Sequence, residues 1–384
     1  MNWELAPLDD LLEVQNGYAF DSKKFTSEKG WPLIRIRDLK EGVGTEVNYS
    51  GEFNEDYIVN AGDLLIGMDG EFRCYDWKGA PALLNQRVCR LRNFSGLMPR
   101  FLMYGINKYL EEIEAATSFT TVKHLSSKTI KAIEFPHPPL PEQQRIVGKL
   151  DAAFAALAEA QAHLERNRAN ARELFESYLN GVFDGKEDGW NSMQLKDLAK
   201  FIDYRGRTPK KTSSGLRLIT AKNVRKGHLK REPEEFIAEK DYDSWMTRGI
   251  PEFGDVLFTT EAPLANVAQL DTQERVVFAQ RIIILQPKIE LIDKTFLKYA
   301  LLSGPMQAVI LSKGTGATVS GIKAALLKLI EVPFPKLQEQ RTIVELLESL
   351  EEKARELEAT YQQKLIELDG LKKGMLGAAF RGEL

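Results

Sequence analysis

The sequence predicts an α+β protein written twice. Two strand-rich globular parts are each followed by a long helix, and the two helices pair antiparallel as a coiled coil about an approximate twofold axis. Three observations carry this. The 384-residue chain repeats itself at an offset of 197 residues, Leu140 falling on Leu337. Short β-like runs punctuated by turn residues fill the first part of each repeat. Proline-free segments with heptad spacing close each repeat.

The repeat is clearest where a loop breaks into a helix. "PPLPEQQRIVGKLDAAF", from Pro138 to Phe154, returns as "FPKLQEQRTIVELLESL", from Phe334 to Leu350. Glu142, Gln143, Ile146 and Val147 meet Glu339, Gln340, Ile343 and Val344. Leu174, Leu179, Phe183 and Gly185 meet Leu371, Leu376, Phe380 and Gly382 further on. Upstream, Thr121 and Val122 meet Thr318 and Val319, and "IEFP" meets "IEVP". With small shifts "NQRV" meets "AQRI" and "GDLL" meets "GDVL". An offset this long exceeds any solenoid repeat, so the chain holds two domains rather than an array.

In order, residues 1–140 form the first globular part, 141–187 the first long helix, 188–336 the second globular part and 337–384 the second long helix. Strands are expected at "PLIRIRDL", "DLLIGM" and "RVCRLR", then at "LRLITAKNV", "DVLFTT" and "RIIILQP". Short helices are expected near residues 99–114 and 294–311. In the first long segment the heptad seam runs through Leu150, Ala153, Leu157, Ala160, Leu164, Asn167, Ala171, Leu174 and Tyr178. In the second it runs through Leu347, Leu350, Ala354, Leu357, Tyr361, Lys364, Leu368, Leu371 and Met375. Large residues in one often match small ones in the other, as expected of helices that pack together. At 1.5 Å per residue, some forty residues span roughly 60 Å, the length of a spacer.

Composition bounds the function. The chain is 43% hydrophobic and 28% charged, reads as globular, and has no apolar run long enough for a membrane helix. Its acidic start lacks the pattern of a signal peptide, so a cytoplasmic protein is expected. Cys74 and Cys89 lack CxxC spacing and the four histidines are scattered, so no metal site is expected. No phosphate loop, GxSxG elbow or HExxH motif occurs, and the Asn/Asp-Pro-Pro-aromatic motif of amino-methyltransferases is missing. Neither catalytic residues nor a cofactor are expected; the chain reads as a binding and scaffolding protein.

The net charge of −3 argues against nucleic acid, but its distribution argues for it. From Lys196 to Arg231 there are twelve Lys and Arg against two Asp. Arg205, Arg207, Thr208, Lys210 and Lys211 lie in a Gly/Pro/Ser-rich loop. Lys222, Asn223, Arg225, Lys226, Lys230 and Arg231 follow on and after a strand. Lys and Arg on phosphates supply most of the affinity for a duplex, while Arg and Asn read base edges. First-half candidates are sparser: Tyr18, Phe20, Lys23, Lys24, Arg35, Arg37 and Lys40, then Arg73 and Lys78. Lys123 and His124, aligned with Ser320 and Gly321, lie ahead of the first long helix. Gln86-Arg87 and Gln280-Arg281 recur inside apolar strands, where a structural role is expected. If both halves bind DNA, their differing loops should read different sequences.

This plan resembles the specificity subunit of type I restriction-modification enzymes over essentially the whole chain. The paired helix starts "PLPEQQRIV" and "LQEQRTIV", the paired ends "LNGVFDG" and "LGAAFRGEL", and "RGRTPKKTSSGLRLITAKNVRKG" carry the likeness. The resemblance implies two target-recognition domains separated by antiparallel helices and a non-catalytic subunit. It also implies a bipartite, asymmetric double-stranded DNA site, with two adenine-methyltransferase subunits and motor-nuclease subunits as partners. The "NGYAF" loop of the first half is less basic than its counterpart. The alternative from another class is a DNA-independent coiled-coil scaffold with two protein-binding domains, against which the basic loops count.

Overall fold

The computed structural model describes residues 3–117, 123–185, 189–205, 208–279, 281–315 and 321–384. Two compact units divide the chain: Met1–Leu164 with Lys364–Leu384, and Glu165–Gln363. Each therefore holds one globular part, the leading part of the long helix that follows it, and the closing part of the other long helix.

The core of the first unit is an antiparallel sheet in the order Glu13–Asn16, Val88–Arg92, Leu64–Gly67, Cys74–Asp76. Val88, Cys89 and Leu91 make Val88–Arg92 a fully covered central strand. Arg90 is also buried there, and it donates to Gln15, to the Ile58 and Asp56 carbonyls and to Asp63 at 2.6–3.1 Å. Such saturation is what a buried guanidinium requires. A second sheet runs Phe25–Thr26, Asn48–Tyr49, Trp31–Ile34, Ala82–Leu84, Ile58–Val59, with one parallel pairing, Leu33 against Leu83. The Pro99–Ala116 helix has proline in its first turn and lays Phe101, Leu102, Ile106 and Leu110 on the first sheet. Its Asn107 bonds both the N–H and the carbonyl of Cys74, pairing an otherwise open strand edge.

The second unit repeats this build. Its core sheet runs Ala199–Asp203, Ile282–Pro287, Val256–Thr260, Leu264–Gln269. Its smaller sheet runs Lys211–Thr212, Phe236–Ile237, Leu216–Ile219, Val277–Phe278, again with one parallel pairing, Leu218 against Val277. The helices Lys294–Leu302 and Gly304–Ser312 cover the core.

The repeated helix starts have one physical cause. Gln143 is fully buried; its Oε1 accepts from Met98 N at 2.7 Å, and its Nε2 donates to the Gly96 and Pro138 carbonyls at 2.8 and 2.7 Å. Gln340 is buried likewise, accepting from Asp293 N at 2.8 Å and donating to the Leu291 and Pro335 carbonyls at 3.0 and 2.8 Å. Only an amide carries the acceptor and two donors this position needs. It ties the loop before the helix to the loop that enters the domain's own helical layer.

The repeated ends have another. The long helices span Leu140–Phe183 and Leu337–Phe380, shorter than the expected 141–187 and 337–384 at their C-termini. Gly185 and Gly382 follow at φ +64° and +73°, the left-handed conformation that glycine adopts at a helix end. Phe183 packs on Phe296 and Trp190, and Phe380 on Phe101 and Phe135. Gly105 makes room for the latter, since a Cβ there would lie 2.4 Å from the Phe380 ring. Leu179 and Phe183 share a core with Val344 and Leu347, while Phe380 and Ala379 share one with Ile146 and Leu150. The head of each helix thus lies beside the tail of the other, and the two run antiparallel.

A tyrosine in each unit fastens the globular part to its own helix. Tyr104 donates to Asp151, which also holds Arg100 at 2.8 Å; burial and that carboxylate push the phenol up to about 12. Tyr299 donates to Glu351 at 2.7 Å, beside Lys298 and Arg355.

The seam needs correction. Leu150 and Leu347 are fully buried, and Leu157, Leu164, Leu350, Tyr361 and Leu368 are half-buried. Leu174, Leu357 and Leu371 are exposed, at 69%, 44% and 51%. At 100° per residue, a straight helix turns about 80° short of whole turns over four heptads, so its covered face is met one residue later. Leu179 is accordingly buried where Tyr178 is exposed. In the second helix Glu358 and Leu365 are half-buried while Leu357 and Lys364 are exposed.

Candidate nucleic-acid interface

At one end of the first core sheet, four chain segments meet. The Glu13–Asn16 strand leaves through Gly17, where a Cβ would lie 2.0 Å from the Asn85 carbonyl oxygen, so only glycine permits the approach. Tyr18 N donates to Leu84 O, and Gln86 N to Tyr18 O at 2.8 Å. Arg87 follows at φ +71°, and its carbonyl accepts from Met68 N. Met68 O in turn accepts from Leu125 N, and Asp69 is bridged to His124. Side chains converge as the backbones do. Arg87 Nη1 lies 3.1 and 3.2 Å from the two Asp69 oxygens, and His124 Nδ1 lies 2.7 Å from Oδ1. Beside them the Tyr18 ring is half-exposed, 5.1 Å from Phe20 and 5.2 Å from Tyr57.

The second unit builds the same junction from different residues. Arg281 also sits at φ +71°, its carbonyl accepting from Thr260 N and its Nε 2.9 Å from Glu261. Glu261 is bridged to Gly321, which replaces His124. Strand register places Asn16 opposite Cys89 and Asp203 opposite Ile283, so Arg205 takes the place of Tyr18. Arg205 turns back onto Asp203 at 2.6 Å. Burial would raise that carboxyl, but bonds from the Arg205 side chain and backbone, with the Arg248 charge, hold it below its usual range.

Left-handed backbone costs a residue with a Cβ about 1–2 kcal/mol, whereas an exposed ion pair returns about 0–1 kcal/mol. Arg87 and Arg281 are 56% and 49% exposed, so their ion pairs do not offset their backbones. Glycine would serve the turn better; what the position retains is the side chain.

The expected contact residues divide into three groups. Lys23, Lys24, Arg37 and Lys40 in the first unit, and Lys210, Lys222 and Lys230 in the second, are exposed and have no ion-pair partner among the described residues. Thr208 is exposed too.

A second group is engaged within the fold. Arg35 closes a turn on Asp38, Lys78 lies 3.9 Å from Asp76, Lys211 lies 2.7 Å from Glu235, and Arg231 pairs with Glu234. Arg73 lies 2.9 Å from Glu114 and 3.3 Å from Glu111, and Lys123 donates to the Glu114 carbonyl. The Phe72 N–H, with Arg73 and Lys123, holds the Glu114 carboxyl below its usual range. Arg225 donates to its neighbour Val224 O, whereas Lys226 is exposed and only lines a cleft with Glu351 and Glu358 of the second long helix.

Two expectations are overturned. Phe20 is 5% exposed and packs on Tyr49, because the Gly17 turn folds it into the small-sheet core. Asn223 is fully buried, accepting from Thr220 and donating to the Lys230, Arg231 and Pro233 carbonyls. It braces its loop as Asp38 does for Arg35 N, and cannot reach a base edge. Arg207, Gln280, Thr121, Val122, Thr318, Val319 and Ser320 lie outside the described residues.

Among the described residues, no group of three or more His, Cys, Asp or Glu could hold a metal ion, and no helix is long and apolar enough to cross a membrane. A structural role was expected for Arg87 and Arg281 from the recurring Gln-Arg pair, which carries no signal for the carboxylates they meet, Asp69 and Glu261.

Comparison with known proteins places this architecture. The family model described as type I restriction modification DNA specificity domain matches residues 1–166 and 187–367, once per half. The specificity subunit of the type I restriction enzyme EcoBI from Escherichia coli is 29% identical over 411 residues, covering 100% of this chain and 86% of that protein. A chain solved in work on complex assembly and conformational transition of the type I R-M system superposes with a TM-score of 0.74 at 19% identity, covering 100% of this chain and 98% of its own. The HsdS subunit from Thermoanaerobacter tengcongensis gives 0.60 at 18%, covering 100% and 97%. With a match in each half and a common fold over the full length, the chain belongs to the type I restriction-modification DNA specificity family.

Proposed function

We propose that the two globular parts each read one half of a bipartite, asymmetric duplex through the loops gathered at the end of the core sheet. The chain is the sequence-recognition subunit of a type I restriction-modification system and a non-catalytic component of it. The observation that carries the two-reader proposal is the junction built twice on one backbone plan with different side chains: Tyr18, Asp69 and His124 in one half, Arg205, Glu261 and Gly321 in the other. Equal scaffolds with unequal loops are what two readers of unequal half-sites need. Tyr104 and Tyr299 fasten each reader to its own helix. The long helices would present exposed Leu174, Leu357 and Leu371 to two adenine-methyltransferase subunits and, in the full enzyme, to motor-nuclease subunits. A cytoplasmic setting goes with this role.

The test is binding of the chain, assembled with its methyltransferase, to a duplex library at several salt concentrations. Enriched duplexes should share a two-part sequence, and absence of enrichment refutes the reading. Replacing Lys210, Lys222 and Lys230 with Ala should weaken binding to all sequences and lower the slope of log affinity against log salt by up to about 2.7, at about 0.9 per phosphate lost. An unchanged slope would show that these lysines contact only solvent.

A further inference from the structure

We propose that Arg87 with Asp69, and Arg281 with Glu261, are matched readers of a G·C base pair, one in each recognition domain. The inference rests on the reading of the globular parts as DNA readers and names the chemistry within them.

Four observations lead to it. The arginines occupy the same position in both domains while their neighbours change, Tyr18 to Arg205 and His124 to Gly321. Both stand on left-handed backbone that glycine would adopt without strain, so the side chain is the feature retained. Each opens a central buried strand, Val88–Arg92 or Ile282–Pro287, so its root is fixed while its side chain is half-exposed. Each is held by a carboxylate whose own backbone is bridged to a further loop.

That pairing of charges selects among nucleic-acid groups. A carboxylate beside a guanidinium repels a phosphate, which makes a backbone clamp a poor use of either pair. The major-groove edge of a G·C pair offers two acceptors, guanine N7 and O6, beside a donor, the cytosine amino group. An arginine with a carboxylate at its side offers the complementary set. Asp69 meets Arg87 at Nη1 and Glu261 meets Arg281 at Nε, so the two pairs differ in pose and length. We expect the two G·C pairs to lie at different offsets within their half-sites.

The experiment uses the chain assembled with its methyltransferase and a duplex library randomised through both half-sites, with methylated products sequenced. Arg87→Gly and Arg281→Gly suit the backbone, so both should melt no lower than wild type. Arg87→Gly should reduce the preference for G·C at one position of one half-site by about tenfold or more, leaving the other half-site intact. Arg281→Gly should do the reverse. Asp69→Ala and Glu261→Ala should relax the same positions as their partners. A uniform fall in methylation with both half-sites intact would identify phosphate contacts and overturn the proposal. Unchanged motifs in both glycine variants would overturn it too, while leaving the recognition reading in place. A wild-type complex that methylates no defined sequence would overturn both.

Discussion

Gln143 and Gln340 show how much one side chain can hold. Each closes three hydrogen bonds inside its domain, and each replaces backbone partners that the incoming loops cannot find for themselves. Gln143→Ala removes all three and strands buried backbone groups, so we expect a loss of about 2–4 kcal/mol, at about 1 kcal/mol per bond. Amide exchange should accelerate around residues 96–110 and 138–150, with residues 291–345 unaffected. Gln340→Ala should show the opposite pattern, and equal acceleration everywhere would contradict the assignment of one brace to each domain. At this scale sequence was a partial guide. The repeat pointed to Gln143 and Gln340 because the same bonds are required twice. It could not separate Asn223, a brace, from the lysines around it, because loop polarity looks alike whether a side chain faces the backbone or the solvent.

Among the elements, the long helices were the most legible. Stretches free of proline after Pro141, shared starts and closing glycines marked both helices, which span Leu140–Phe183 and Leu337–Phe380. The seam was only half legible. A heptad assumes that the partner helix alone decides which face is covered, whereas here each helix also packs on a globular core, as where one core takes Val344 and Leu347 from the head of the second helix together with Leu179 and Phe183 from the tail of the first. A clean contrast follows. Leu347→Ala should cost about 2–5 kcal/mol, the range for a fully buried leucine. Leu357→Gln, at an exposed position of the same expected seam, should change stability by no more than about 0.5 kcal/mol. Denaturant midpoints of the two variants decide it, and comparable losses would restore the strict heptad.

For the whole molecule, the duplication was legible from paired motifs, and the family model matches each half in turn. The proposed reading face was not, because four segments distant in sequence, around Tyr18, Asp69, Arg87 and His124, come together only on folding. Each half is proposed to be a separate reader. The most direct measurement exchanges residues 188–336 for the equivalent segment of a relative, expresses the chimera with its methyltransferase, and maps methylated adenines across the genome. Retained core contacts to Leu179, Phe183, Val344 and Leu347 should let the new domain seat on the native helices. We expect a two-part methylated sequence in which one half is replaced and the other is identical to that of the parent. A change in both halves, or the parent sequence unaltered, would contradict the claim.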